Sequence, residues 1–298
     1  MDLVDNAIMV YWVDAFCDRP FCGNPAVVVP QADGLSDTQM QQIAREVNCS
    51  ETAFVLQPTL PEADFRLRWF TPTQEVNLCG HATIGALHGL ARDGRYNLHP
   101  GVTQILYIET RSGVLTVLVD YKQDRPWTWL TLPECEFEPV SPELTQQLVT
   151  ALGLPHAPIA PPVVDSLNQD VLIAIPHLHQ LQSLSPDMVA LTQLGKGQNW
   201  RGMGVYTRET VEPESDVHVR FFAPQSGINE DPVTGSVSGP IALLLRQSGE
   251  SKDPKRDLWR FEQGDCINRP GRLLIELQGE TPKLGGQAIM VLKGELYL

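Results

Sequence analysis

The chain has 298 residues, with 22 Lys plus Arg against 36 Asp plus Glu, a formal net charge of −14. That length predicts two domains, and 42% hydrophobic with 19% charged residues predicts a folded globular protein, not a disordered one. The acidic balance speaks against a nucleic-acid partner, no apolar run is long enough to span a membrane, and an acidic start (Met1-Asp2-Leu3-Val4-Asp5) predicts a cytoplasmic protein without a signal peptide.

Ile8 to Phe16 and Ala26 to Val29 are β-prone runs, separated by the turn formers Arg19-Pro20-Phe21-Cys22-Gly23-Asn24-Pro25. Ser36 and Gln39 form a capping box, and Met40, Ile43, Ala44 and Val47 follow at helical spacing. Thr52 to Leu56 is a strand, which leaves Glu51 at a helix-to-strand junction. Asp64 to Phe70 alternates, with Phe65, Leu67 and Trp69 on one face and Arg66 and Arg68 on the other. Gly80 to Ala91 has no polar side and is predicted to be a helix buried all round. Gln104 to Glu109 and Val114 to Tyr121 are strands, and Asp124-Arg125-Pro126 is the expected linker, giving domains over 1–124 and 125–298. In the second domain Trp127 to Leu132, Val171 to Ile175, Val205 to Thr207 and Val217 to Ala223 are strands. Ser141 to Leu152, Asp187 to Leu194 and Gly235 to Leu245 are helical. Strands near Trp259 to Glu262, Leu273 to Leu277 and Ala288 to Leu298 close the chain, the last of them available to pair back onto the first domain.

Two segments read as copies. Asp64-Phe65-Arg66-Leu67-Arg68-Trp69-Phe70-Thr71-Pro72 and Asp216-Val217-His218-Val219-Arg220-Phe221-Phe222-Ala223-Pro224 alternate in the same phase. Each then crosses a polar loop, three residues longer in the second copy, into a glycine-led apolar helix. The pattern predicts an internal duplication. Two such domains about a pseudo-twofold axis would turn two helix N-termini, each partially positive, toward one cleft, a place for a carboxylate or enolate. Neither a dinucleotide nor a P-loop fingerprint occurs.

The chemistry-bearing candidates cluster near those helix starts. His81 is the second residue of the first buried helix and Asp231 precedes the second, within Glu230-Asp231-Pro232-Val233-Thr234-Gly235-Ser236. Glu51 adds a carboxylate and Cys79 a thiol at a helix N-terminus. The six cysteines (Cys17, Cys22, Cys49, Cys79, Cys135, Cys266) show neither a disulfide framework nor a zinc-binding pair. A carboxylate with a His and an Asp suffices to move a proton between carbon atoms.

Four segments carry a resemblance: Val13-Asp14-Ala15-Phe16 through Pro20-Phe21-Cys22-Gly23-Asn24-Pro25, Ser50-Glu51-Thr52-Ala53-Phe54, Gly80-His81-Ala82-Thr83, and Glu230 to Ser236. In that order they resemble the signatures of the PhzF-like family of phenazine biosynthesis, related to diaminopimelate epimerase and proline racemase. The resemblance implies an α+β fold of two pseudo-symmetric domains, each a mixed, barrel-like sheet wrapped around a central helix. It implies Glu51 as the acid/base, His81 and Asp231 about the same cleft, and Gly80, Gly235 and Ser236 as substrate contacts. Asn24 is implied as a substrate or framework contact. Related epimerases use one cysteine from each half; Cys79 matches the first, whereas the second half offers Asp231-Pro232-Val233 and no thiol.

The expected activity is therefore a cofactor-independent, metal-free isomerase of a small anionic, carboxylate-bearing metabolite, working as a homodimer with Glu51 as general acid and base. A racemase or epimerase using Cys79 is the alternative within the enzyme class, and a non-catalytic metabolite-binding protein the alternative outside it. A metal hydrolase built on His81, Asp231 and Glu51 lacks any recognised ligand spacing.

Overall fold

A computed structural model describes residues 7–121, 125–249 and 258–298. Residues 1–5, read above for their charge, and Asp124, the first residue of the expected linker, lie outside the described residues. Contacts divide the chain into two units, Met1–Thr131 with Gly285–Leu298, and Leu132–Leu284.

The first unit runs β1 (Ala7–Ala15), β2 (Asn24–Val29), α1 (Asp37–Val47), β3 (Glu51–Leu56), β4 (Phe65–Phe70), β5 (Glu75–Val76), α2 (Gly80–Arg92), β6 (Val102–Thr110), β7 (Gly113–Tyr121) and β8 (Trp127–Thr131). In the second follow β9 (Phe137–Pro139), α3 (Pro142–Leu152), β10 (Val163–Asp165), β11 (Asp170–Ala174), α4 (Leu178–Ser183), α5 (Met188–Gln198), β12 (Gly202–Thr207), β13 (Val217–Ala223), β14 (Ile228–Asp231), α6 (Gly235–Gln247), β15 (Leu258–Gln263), β16 (Gly271–Gln278) and β17 (Thr281–Gly286). The chain then returns to the first unit as β18 (Ala288–Tyr297), antiparallel to β1.

Strand pairing repeats between the units. In the first, β1 is antiparallel to β2, β2 parallel to β3, β3 antiparallel to β4, β4 parallel to β6 and β6 antiparallel to β7. In the second, β10, β11, β12, β13, β15 and β16 follow the same sequence of antiparallel and parallel pairings. The short strands β5 and β14 pair with β4 and β13 in matching positions.

Side-chain contacts repeat as well. Arg68 lies over the Phe70 ring and grips both oxygens of Glu75 at 2.7 and 2.8 Å. Arg220 lies over Phe222 and grips Glu230 at 2.9 and 2.8 Å. The arginine face of the alternating strand is thus covered and neutralised within each unit. Asp64 accepts the Tyr107 backbone N–H just as Asp216 accepts that of Arg260. Through the strand these equivalences keep an offset of 152 residues, and Glu75 and Glu230, after the longer loop, are offset by 155, as the spacing of the two sequence copies predicts; further on, Tyr107 and Arg260 are offset by 153.

Each sheet has an inner helix and outer helices. In the first unit α1 packs Met40, Ile43 and Ala44 against Val29, Phe54 and Phe70, and Ser36 closes its capping box with Gln39. On the other face α2 packs against β1, β2, β3 and β18, with His81 to Ala91 all buried. Glycine makes this approach possible. A methyl group on Gly85 would stand 2.5 Å from Val13 Cγ2, and one on Gly89 2.6 Å from Tyr11 Cδ2. In the second unit α3 and α5 pack with Val171, Ile173, Met203 and Phe222, while α6 is the buried counterpart of α2. Pro240 inside α6 deprives the Ser236 carbonyl of its helical donor. The Asn168 amide supplies one instead, at 3.3 Å. No helix among the described residues is long and apolar enough to cross a membrane.

Candidate active site

Local chain geometry places the first group of candidates. Helix α1 ends on Asn48 in the left-handed region (φ 50), which turns the chain through Cys49 and Ser50 into β3. Glu51 is the first residue of β3, paired with Ala26 on the parallel β2, which opens at the fully buried Asn24. Cys79, with extended backbone (φ −143), precedes α2, whose first residues are Gly80 and His81.

These residues meet around one imidazole. His81 Nε2 lies 3.3 Å from Glu51 Oε2 and 3.3 Å from Ser50 Oγ. The Ser50 hydroxyl is 3.4 Å from Asn24 Oδ1 and 3.4 Å from the Pro25 carbonyl, either of which can accept its proton. On the other side of the ring, Cys79 Sγ lies 3.4 Å from His81 Nδ1. One tautomer satisfies the whole set: Nε2–H donates toward Glu51 and Ser50, and Nδ1 accepts from the Cys79 thiol. The Glu51 side chain is 16% exposed and that of His81 9%, so the carboxylate is shielded on most sides yet reachable.

The second group lies in the second unit. Asp231 ends β14, and its Oδ2 accepts the Thr234 hydroxyl at 2.5 Å. Gln263 locks the turn: its Nε2 donates to the Asp231 carbonyl at 2.8 Å and to Thr234 Oγ1 at 3.0 Å, while its Oε1 accepts from the Thr234 N–H at 3.0 Å. Gly235 and Ser236 start α6, and Ser236 Oγ accepts from Arg201 at 2.9 Å. Arg201 is held in turn by buried Asp170, so its charge is largely spent before it reaches the serine. By the constant offset, Thr234 stands where Cys79 does and Ser236 where His81 does. The Thr83 and Ser238 hydroxyls underline the match, each donating to the carbonyl that precedes its helix.

Glu51, Cys79 and His81 present an oxygen, a sulfur and a nitrogen within 4.8 Å of one another, and so do His218, Glu262 and Asp265 with two oxygens and a nitrogen. Each set has the donor types of a metal ligand group. Their hydrogen-bonding geometry points elsewhere. The Cys79 sulfur lies nearer to His81 Nδ1, at 3.4 Å, than to Nε2, at 4.0 Å, whereas Glu51 faces Nε2 and an ion takes one nitrogen from a ring. Asp265 is gripped by both terminal nitrogens of Arg272, at 3.1 and 3.0 Å.

Ser50 and the Thr234–Gln263 clamp were not among the residues singled out in the sequence. Ser50 sat inside the Ser50-Glu51-Thr52-Ala53-Phe54 motif, so its signal was present. Gln263 lies 32 residues from Asp231, and only the fold brings them together.

A family model described as phenazine biosynthesis-like protein matches residues 13–294. The chain belongs to that family. An isomerase of Clostridium acetobutylicum, so named though uncharacterized, is 36% identical and covers 97% of this chain and 98% of its own. A PhzF-family phenazine biosynthesis protein of Bacillus anthracis, known from its crystal structure, is 28% identical with a TM-score of 0.85, covering 98% and 100% of the two chains. The fold extends further: a hydroxyproline epimerase of Agrobacterium vitis matches with a TM-score of 0.63 at 12% identity, over 100% of this chain and 94% of that one. The chain is therefore an isomerase of the phenazine biosynthesis-like family, with the α+β, epimerase-like fold expected of it.

Proposed function

We propose that the chain moves a proton between carbons of a small carboxylate-bearing metabolite, without a cofactor, with Glu51 as both general base and general acid. The observation that carries this reading is the Glu51–His81 contact at 3.3 Å. An imidazole whose other nitrogen is engaged by Cys79 holds the carboxylate in one orientation. In the forward step a Glu51 oxygen takes a proton from a substrate C–H, and the electron pair enters the substrate as an enolate. The resulting carboxylic acid returns the proton to a second carbon, which restores the carboxylate. One group serves both steps provided it reaches both carbons.

Two further features support the assignment. Helices α1, α3 and α5 are capped by the side chains of Ser36, Ser141 and Asp187, whereas Cys79 and Thr234 make no side-chain cap at the starts of α2 and α6. The short α4 likewise has no side-chain cap from His177, and helix N-termini of this kind stabilise negative charge. Asp231, Gly235, Ser236, Gly80 and Asn24 are assigned to substrate binding on this reading, with Thr234 fixing the Asp231 carboxylate.

Cys79 gives a second reading its footing, because a thiol 3.4 Å from an imidazole nitrogen is placed for thiolate chemistry. A two-base racemase would need a second thiol, and the residue of the second copy that corresponds to Cys79 is Thr234. The experiment that separates the two follows solvent deuterium into substrate or product for wild type, Glu51→Gln and Cys79→Ser. Loss of about 10²–10⁴ in rate with Glu51→Gln alone is the expected result. Exchange that persists in Glu51→Gln and vanishes in Cys79→Ser assigns the chemistry to the thiol. Ligand binding without exchange in wild type makes the chain a binding protein.

A further inference from the structure

The far end of α2, away from His81, closes a cavity of about 480 Å³. It is lined by His88, Ala91 and Arg92 of the helix, by Leu98, His99 and Pro100 of the following loop, and by Tyr121, Arg125 and Ile289. Every ionisable group among those lining residues is a base or a phenol; none is a carboxylate. Among the described residues neither Arg92 nor Arg125 has an ion-pair partner, although Arg125 donates to the Asp18 carbonyl.

His88 is the feature that ordinary folding does not explain. It is 3% exposed, and both of its ring nitrogens are buried without a hydrogen-bond partner. Buried polar groups are nearly always satisfied, and leaving one unmade is costly. Burial, reinforced by the positive charges of Arg92 and Arg125, pushes the imidazole down to about 4. A neutral imidazole with idle nitrogens, next to two cations that no carboxylate among the described residues pairs with, is a half-built site. The C-terminal carbonyls of α2 oppose an anion there, but they carry a fraction of an elementary charge against two whole ones. Asp93, which follows Arg92 in sequence, is engaged by Tyr11 and Lys293.

We propose that this cavity binds a small organic carboxylate, its charge held by Arg92 and Arg125, its polar end completed by His88, and its apolar body laid against Leu98, Pro100 and Ile289. The volume falls in the range of small-molecule sites and exceeds what a bare inorganic ion fills. The lining joins apolar residues to a few convergent polar ones, as such sites do. The site lies within the first unit and shares no residue with the Glu51–His81 group, so it stands whatever the isomerase acts upon.

The test uses the full chain, with its histidine rings isotopically labelled, and three probes: valerate, glutarate and inorganic phosphate. Saturable movement of the His88 ring resonances by valerate or glutarate, with phosphate weaker, is the expected result. Arg92→Gln and Arg125→Gln should each weaken that binding at least tenfold, because each removes a charge-assisted contact, while resonances of the folded core stay in place. His88→Phe should keep the fold, since it fills the same space without unmet nitrogens, and should lose binding. The proposal is overturned if no probe moves His88, if binding survives both arginine variants, or if phosphate binds as well as the carboxylates.

Discussion

His81 organises the candidate site because an imidazole has two nitrogens and this one uses both. With Nε2 toward Glu51 and Ser50 and Nδ1 toward Cys79, a change at any partner alters the proton's position on the ring. On the proposed Glu51 mechanism, Ser50 is a positioning residue that acts on Glu51 through His81 and is anchored at Asn24. Ser50→Ala leaves Nε2–H with Glu51 as its one acceptor in the set, which tightens that pair and makes the carboxylate a weaker base. The expected outcome is a fall in kcat of roughly tenfold, the effect of one hydrogen bond of about 1.4 kcal/mol, with KM little changed. The acid limb of the pH profile should shift downward, a change that a loss of folded protein cannot produce. Ser50→Thr retains the hydroxyl and should restore most of the rate. A Ser50→Ala enzyme with an unmoved pH profile and a raised KM would place Ser50 on the substrate instead.

At the scale of elements, the inner helix is held by absence of side chains as much as by their presence. Gly89→Ala improves intrinsic helix propensity by about 1 kcal/mol, but sets a methyl group 2.6 Å from the Tyr11 ring. Overpacking of a closed core typically costs about 1–3 kcal/mol, and the Tyr11 phenol is tied to Asp93, so the ring cannot simply swing away. Chemical denaturation should show Gly89→Ala net destabilised; a more stable variant would mean that β1 yields to the helix. The helix itself was legible in the sequence, since Gly80 to Ala91 has no polar face. Also legible were the capping box at Ser36 and the phase of the two copied strands. The short elements were not: β5, β9, β10 and β14 have two to four residues, too few to show a period, and they exist because a neighbouring strand offers an edge. The six-residue α4 was missed for the same reason. Within the site, Glu51, His81 and Cys79 were named from their motifs and meet around one ring. What sequence lacked was pairing at a distance: Arg68 with Glu75 was hidden in a loop of then unknown path, and His88 read as one more residue of an apolar helix.

At the scale of the whole molecule, the duplicated halves part company in how they respond to pH. Each uses a buried glutamate to hold a pair of loop N–H groups, Glu109 for Thr59 and Leu60, Glu262 for Val211 and Glu212. Beside Glu109 stands Arg66, at 3.5 Å; in the corresponding position beside Glu262 is His218, at 2.8 Å and fully buried. Burial pulls the His218 imidazole down, but the hydrogen bond to Glu262 and the charges of Glu262 and Asp265 outweigh it and raise it to about 9 from 6.5. Burial likewise works against the charged form of Glu262, but His218 and the loop N–H groups hold it down at about 2. The raised His218 contributes stability that is complete below about pH 6.5 and is lost as pH climbs through 9. The depressed Glu262 contributes stability that is complete above about pH 4.5 and is lost as pH falls toward 2. His88, depressed, acts on the acid side too: the unfolded chain takes up its proton below 6.5 while the folded one waits until about 4. Stability should therefore peak near pH 6.5 and decline in both directions. Urea unfolding from pH 6 to 10 should show the alkaline decline in wild type, on the order of 3 kcal/mol for a shift of this size. In His218→Gln, which hydrogen-bonds without titrating, the protein should be less stable at pH 6 and its curve should flatten between 6.5 and 9. An alkaline decline of the same slope in both proteins would assign it to other groups.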